Sequence, residues 1–343
     1  MRLLHKLKYY GVTNNTHGWI SDFLGGRSQR VLLEGVSSEL LPVTSGVPQG
    51  SVLGPLLFLA FINDLPDVVS PRSTVRLFAD DCVLYRKVKS KEDTAELQRD
   101  LDGLQQWEAD WLMEFHPRKC QVLHVTNKKN VIKADYNIHG HVLEETDTAK
   151  YLGVNIHHKL SWNHHIQMVV SKANSTYAFL RRNISMCPRE TKVLCYNTLL
   201  RPVMEYASII WDPHTNVNID KLEMVQRRYA RFVFHDYRRT SSVTAMLNQL
   251  NWASLHERRA RAKVDMVFRM VNGLVDLPAT LLIPAPAMRG HSKKYLVPFA
   301  RVGIYQHSFV PDSIRLWNAL PQRLVDIPSL GCFRNSLESL KLR

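Results

Sequence analysis

The pattern of apolar and polar positions divides the chain into two kinds of sequence. Up to about residue 160, short apolar runs alternate with Gly/Pro-rich turns. "WISDFLGGRSQRVLLEG" reads as a helix end broken at Gly25 and Gly26, followed by a strand at "RVLL". "VTSGVPQGSVLGPLLFLAFINDLPDVV" reads as a loop leading into an apolar helix. "VRLFADDCVLYRKV" reads as a hairpin made apolar by Val75, Leu77, Val83 and Tyr85. Ser90-Lys91-Glu92-Asp93 has the form of a capping box, and Leu97, Leu101, Leu104, Trp107 and Trp111 then fall on one helical face. "CQVLHV", "NIHGHVLEE" and "AKYLGVNI" predict further strands, with His139-Gly140 as a turn.

After Trp162 the period becomes helical. Ile166, Val170, Ala173, Tyr177 and Leu180 line one helix, and Val193, Tyr196, Leu200, Val203 and Ala207 line a second that Pro202 should kink. A third, from about Asp220 to Phe234, buries Leu222, Val225, Tyr229 and Phe232 and presents Lys221, Arg227, Arg228 and Arg231. A fourth carries "ERRARAK", and a Pro-rich, weakly patterned tail begins near Val275. The expected class is therefore α+β, with a mixed part at 1–160, a helical part at 161–274 and a C-terminal extension at 275–343.

Composition narrows this further. The 343 residues, 45% hydrophobic, suffice for a substantial core in one large or two to three smaller domains. No run of about 18 uncharged apolar residues occurs, and "MRLLHKLKYY" lacks the pattern of a signal peptide, so a soluble intracellular protein is expected. Five widely spaced cysteines without a C-x-x-C pair suggest neither a disulfide framework nor a zinc site. The net charge of +14 is uneven: residues 1–180 hold 20 basic and 19 acidic residues, and residues 181–343 hold 25 and 12. The second half is thus the expected polyanion-binding part, with nucleic acid favoured over a membrane surface.

Asp80 and Asp81 place two like charges at a hairpin tip, where each raises the cost of ionising the other. A solvated turn tolerates this, and so does a bound divalent cation. Apolar flanking strands favour the second reading by holding the tip rigid. Gly46, Gly50 and Gly54 recur every four positions, which on a helix bares a face for close approach by a base, a ribose or a packed sheet. His157, His158, His164 and His165 cluster without acidic or cysteine partners and read as surface histidines. Tyr229, Tyr237 and Trp252 are either core residues or stacking platforms for bases.

"SGVPQGSVLGPLLFLAFINDLP", "FADD" and "YLGV", in that order, resemble three successive palm motifs of reverse transcriptases of non-LTR, LINE-type retrotransposons of the jockey and CR1 kind. "LQQWEADWLMEFHPRKCQVLHV", "YLGVNIHHKLSWNHHI", "LLRPVMEYASIIWDPHT", "LEMVQRRYARFV" and "WNALP" extend the resemblance over essentially the whole chain. It implies a partial polymerase palm, an antiparallel sheet with packed helices, followed by an all-α basic thumb and an extension of unknown role. In the intact form it implies RNA-templated DNA synthesis by two-metal nucleotidyl transfer.

By this resemblance Asp80 and Asp81 are palm carboxylates that hold Mg²⁺ or Mn²⁺. Ser45, Gly46, Pro48, Gln49 and Gly50 line the pocket for templating base and incoming deoxynucleotide triphosphate, and Phe78 and Ala79 shape the hairpin. Lys119 stands where family members place a proton donor to pyrophosphate, although a solvated lysine beside Arg118 explains it equally. His116 occupies a position where the family often has Asn. Tyr151, Leu152, Gly153 and Val154 correspond to a primer grip. Lys221, Arg227, Arg228, Arg231, Arg258, Arg259 and Arg261 are candidate phosphate contacts to an RNA template and DNA primer, with no membrane partner. Synthesis in the cytoplasm and action at nuclear DNA are implied.

One departure stands out. The family's third carboxylate lies in a "D-x-x-K-A-F-D" segment just before a helix resembling Leu3 to Val12, which places it ahead of Met1, with the fingers and an endonuclease further upstream. Asp22, Glu34, Glu39, Asp64 and Asp67 are poor substitutes, because none sits mid-strand. The chain alone is therefore expected to lack polymerase activity, the alternative being a non-catalytic nucleic-acid-binding remnant. An unpaired sheet edge beside the hairpin and poor solubility are expected with it.

Overall fold

The computed structural model describes residues 2–286, 290–338, 340 and 342. The chain is a mixed α/β structure of two compact units, Met1–Leu152 and Gly153–Arg343.

In the first unit, helices α1 (Arg2–Tyr9), α2 (Asn14–Leu24) and α3 (Leu53–Ile62) enclose a small core of Leu7, Ile20 and Leu57. Helix α3 is apolar all round because its other side serves a second cluster. There Phe58, Phe61 and Ile62 meet Leu65, Val75, Leu104 and Trp107. Helix α4 (Lys91–Trp111) starts at the expected box, with Ser90 and Asp93 each satisfying the other's backbone, and contributes Leu104 and Trp107.

Across this cluster lies the antiparallel hairpin of Ser73–Phe78 and Asp81–Arg86. Its inner end is locked by Asp100, which accepts from the Ser70 backbone N–H at 2.8 Å and from the Ser73 hydroxyl, while buried Arg86 donates to the Ser70 and Ser73 hydroxyls at 3.0 and 3.1 Å. Among the described residues every sheet has only two strands. "RVLL" yields just Leu32–Leu33, paired with Val36–Ser37, and "CQVLHV" just Gln121–Val122, paired in parallel with Glu144–Glu145. The Asn137–Ile138 and His141–Val142 hairpin turns at His139-Gly140, both left-handed, as the sequence predicts.

Among its described residues the second unit has one strand, Val154–His157, and is otherwise mostly helical, with an irregular stretch that carries a β-bridge between Pro284 and Tyr295. Helix α5 (Asn163–Asn183) is followed by α6 (Arg189–Cys195), a π-helical turn at Tyr196–Leu200, and α7 (Arg201–Glu205). Pro202 has no N–H to continue the ladder, and the chain relieves that with the wider turn just before it. After α8 (Ser208–Trp211), α9 (Asn216–Phe234), α10 (Val243–Gln249) and α11 (Leu255–Val271), four helices complete the unit: α12 (Gly303–Gln306), α13 (Phe309–Asn318), α14 (Gln322–Val325) and α15 (Leu330–Glu338).

Ile166, Leu180, Tyr196, Leu200, Trp211, Leu222, Tyr229 and Phe232 form its main core, which bears out the helical faces read from the sequence. The segment from Val275 is less loose than its composition suggests. Trp317 and Phe333 close on Val264, Val267 and Phe268 of α11, so the extension shares a core with the helix before it. His165 is also corrected: it is buried, with Nδ1 accepting from the Asn155 N–H at 3.2 Å and its ring 5.0 Å from Trp211. Burial lowers its imidazole pKa. No helix of the described residues is long and apolar enough to cross a membrane.

Candidate active site

The register of the hairpin decides what its tip can do. Phe78 stands opposite Asp81, leaving Ala79 and Asp80 as a two-residue loop. Side chains alternate from there. Val75, Leu77, Cys82 and Leu84 turn to the core, and Arg76, Phe78, Asp81, Val83 and Tyr85 take the other face. The sequence reading that made Val83 and Tyr85 supports of the tip is corrected by this: Tyr85 is half exposed, and Cys82 and Leu84 do that work. Ala79 has φ 50°, a left-handed conformation that costs an alanine about 1–2 kcal/mol and that the paired strands impose. Both carboxylates are exposed at the tip, beside the open ring of Phe78.

Two other segments reach this hairpin. The Tyr151 phenol is raised above its usual range, first by burial and then by the charges of Asp81 and Cys82, so it lies within electrostatic reach of the hairpin tip. Burial pushes the Cys82 thiol up to about 11, and the charge of Cys120 adds to it. Cys120 follows the short turn Pro117–Lys119, on which the Lys119 side chain is exposed. Leu152 and Gly153 both have positive φ, 45° and 79°, and form a tight turn between Thr148–Tyr151 and Val154–His157. A Cβ on Gly153 would stand 3.1 Å from the Tyr206 ring.

Ser45 to Gly50 form an exposed bend ahead of α3, and here the glycine reading changes. Gly46 and Gly50 lie outside the helix with φ 76° and 80°, so they serve backbone turns rather than a bared helical face. Only Gly54 is helical, and its Cβ would meet the Pro48 carbonyl oxygen at 2.7 Å. Ser51 locks the same place, accepting from the Gly54 N–H at 3.0 Å and donating to the Pro48 carbonyl at 2.7 Å. Arg27 clasps the bend from the other side, donating to the Gly46 carbonyl at 2.7 Å and to Leu24 at 2.9 Å. The sequence offered no signal for Arg27 beyond its place after Gly25-Gly26. Ser45 and Gln49 remain exposed.

Residues 2–156 match the family model for reverse transcriptase, RNA-dependent DNA polymerase. Residues 2–156 thus carry a reverse-transcriptase domain, and the curated relatives that the chain is similar to are RNA-directed DNA polymerases of mobile elements. The chain is 28% identical over 224 residues to the RNA-directed DNA polymerase from mobile element jockey of Drosophila melanogaster, covering 62% of this chain and 24% of that protein. The jockey protein of Drosophila funebris is 29% identical over 226 residues, covering 62% and 24%. The probable RNA-directed DNA polymerase from transposon X-element of Drosophila melanogaster is 29% identical over 230 residues, covering 63% and 24%. The chain thus spans about a quarter of the length of these relatives.

Within the reverse-transcriptase domain, Asp80 and Asp81 suit a Mg²⁺ ion, which takes one or two carboxylates and completes its shell with water and phosphate. Among the described residues no group of three or more His, Cys, Asp or Glu side chains is arranged to hold a metal ion. Asp64, one of the acids weighed as a substitute, is committed elsewhere. Its Oδ1 accepts from buried Lys6 at 2.5 Å and from the Trp107 indole at 3.0 Å.

Beyond the reverse-transcriptase domain the basic candidates separate. Lys221, Arg227 and Arg228 are exposed on α9. Arg231 instead braces the following loop, donating to the Arg238 carbonyl at 2.9 Å. Arg259 is a correction: its side chain is 1% exposed and donates to Asp212 at 2.6 Å, alongside Lys263, which bridges Asp212 and Asp312 at 2.5 and 2.7 Å. Arg258 is held by both oxygens of Glu205, and Arg261 by Glu257 at 2.8 Å. These three arginines serve internal ion pairs rather than an outward phosphate-binding face.

Proposed function

We propose that this chain is a palm and thumb portion of a non-LTR retrotransposon polymerase, which in its intact form copies an RNA template into DNA from a primer 3′-hydroxyl. The observation that carries this is the strained two-residue loop that presents Asp80 and Asp81 on a fixed hairpin with Tyr151 within electrostatic reach of its tip. Asp80 and Asp81 would hold the divalent ion, Mg²⁺ or Mn²⁺. When bound, such an ion stabilises charge on the phosphoryl oxygens during displacement.

The remaining residues position the reactants. Phe78 offers a flat apolar face next to the acids, and the bend from Ser45 to Gly50 offers exposed backbone and the Gln49 amide to an incoming deoxynucleotide and its templating base. Tyr151 to Val154 would steady the primer end. Lys119, exposed and free to reach, would give a proton to the departing pyrophosphate. Lys221, Arg227 and Arg228 would take phosphates of the primer–template hybrid. Action at nuclear DNA after cytoplasmic synthesis follows from the same reading.

Two carboxylates hold one ion, and bridging two ions takes a third. The chain alone is therefore proposed to bind nucleic acid and metal without extending a primer. The test uses purified protein, a primed RNA template, deoxynucleotides and Mg²⁺ or Mn²⁺. No extension is expected, with weak Mn²⁺ binding seen by electron paramagnetic resonance and lost in the Asp80→Asn, Asp81→Asn double variant. Hybrid binding should weaken steeply with salt. Processive extension would overturn the inactive reading, and hybrid binding without any Mn²⁺ binding would favour the remnant.

A further inference from the structure

An open groove of about 740 Å³ lies in the second unit between the end of α9 and the start of α10. One wall is Phe234 to Arg238, and the other carries Ser241, Ser242, Met246 and Gln249. The wall is built rather than loose. Helix α9 stops at His235 in a left-handed conformation, φ 53°, and Arg231 then donates to the Asp236 and Arg238 carbonyls at 3.3 and 2.9 Å. The Asp236 carboxylate accepts from the Arg238 N–H and from its guanidinium, each at 3.1 Å. Those bonds hold its pKa below the usual carboxylate range.

This loop fixes one aromatic ring half in solvent. Tyr237 is 50% exposed, whereas Tyr229 is fully buried and donates to the Lys192 carbonyl at 3.0 Å, and Trp252 is stacked on Tyr196 at 3.8 Å. Of the three aromatic residues weighed as stacking platforms, Tyr237 is the one the fold leaves open. Around it the charge left without an internal partner is positive. The Arg181 guanidinium is 5.9 Å from the Tyr237 ring, and both Arg181 and Arg228 stand close to Tyr177, which neighbours Tyr237. Arg182 and Arg239 are exposed beside them in sequence. Asp236, the carboxylate in the loop, is already paired.

We propose that this groove binds single-stranded nucleic acid, with an unpaired base lying on the exposed part of the Tyr237 ring and flanking phosphates on Arg181, beside that ring, and on Arg239 of the same loop. The ring face is accessible to a base only if that base is outside a helix, and the groove has room for one or two nucleotides rather than a duplex. The amide of Gln249 supplies both a donor and an acceptor, which a base edge can use together and an acyl chain cannot use at all. The proposal rests on the reading that the second unit handles nucleic acid, and it adds a single-strand site distinct from the exposed face of α9 at Lys221.

The full chain is titrated into a labelled twelve-nucleotide single-stranded RNA and, separately, a blunt RNA/DNA hybrid, with anisotropy as the readout. Tyr237→Ala should weaken single-strand binding about tenfold and hybrid binding less than twofold, and Tyr237→Phe should restore it, because stacking needs the ring and not the hydroxyl. Arg239→Ala, on an exposed side chain, should lower the salt dependence of single-strand binding by about one phosphate contact, which keeps a second arm if Tyr237→Ala misfolds. Unchanged single-strand affinity in both variants, with hybrid binding intact, overturns the groove alone. Failure of the unsubstituted chain to bind either ligand overturns the nucleic-acid reading beneath it. Displacement of the RNA by phosphatidylserine vesicles in a Tyr237-dependent manner assigns the groove to a membrane and overturns the proposal.

Discussion

Lys6 is 3% exposed, and its ammonium lies 3.7 Å from the Trp111 ring, 4.7 Å from Trp107 and 2.5 Å from Asp64 Oδ1. Burial lowers its pKa, and the Asp64 carboxylate is what keeps the charged form tolerable. Removing only that carboxylate strands a cation among aromatic rings. Asp64→Ala should therefore cost about 3 kcal/mol or more, and Lys6→Met, which removes the charge and keeps the bulk, should cost less. Urea melts of the two variants check the order. Gly54 makes a second residue-scale case: Gly54→Ala puts a methyl 2.7 Å from a backbone oxygen that cannot rotate away. A loss of about 1–3 kcal/mol and a displaced Ser45–Gly50 bend are expected, read by melting and by faster amide exchange in that bend. The importance of these glycines was visible in the sequence. Their reason was not, because a spacing of four looks the same whether the residues share a helix or flank its start.

At the scale of elements, the hairpin shows why periodicity can fail. "DCVLYR" is apolar on both faces, so alternation cannot say which set turns inward, and only packing against Leu65, Leu104 and Trp107 settles it. Leu84→Ala should cost about 2–4 kcal/mol, and Tyr85→Ala, on the open face, under about 1 kcal/mol. Equal losses in thermal melts would contradict the register. The helices were more legible. The stripes of α4, α5 and α9, the capping box at Ser90 and the interruption before Pro202 all depend on residues within a few positions of one another.

For the molecule as a whole, two properties follow from what is buried and what is not. His165 and His291 both have lowered imidazole pKa values, with burial the first cause in each. The native state keeps them neutral while the unfolded chain takes up protons, so stability should fall as pH drops below about 6.5. Melting temperatures from pH 8 to 5 test this, and His165→Gln should reduce the slope. The second property concerns solubility. Val31, Leu32, Leu33, Val36, Leu40 and Leu41 are each 59–73% exposed on one ribbon, and the Asp80–Asp81 hairpin has no third strand on either edge among the described residues. Such surfaces pair with other chains. Val36→Lys should raise the soluble fraction and lower the aggregate seen by light scattering, with no change in melting temperature.

The sequence by itself determined the turn that carries Asp80 and Asp81, the main helical stripes and the concentration of positive charge after residue 180, because each is written in local spacing or in composition. Tertiary structure decided which basic and aromatic side chains are available. Arg258, Arg259 and Arg261 read like a solvated helix face, yet Glu205 and Asp212, about 50 residues earlier, hold two of them in ion pairs, and the third binds Glu257 of its own helix. Tyr229 already fell on a buried helical face in the sequence, but Trp252 and Tyr237 were indistinguishable there, and only the loop braced by Arg231 leaves Tyr237 open. Partners brought together from distant positions leave no period along the chain, so their consequences appear only once the chain has folded.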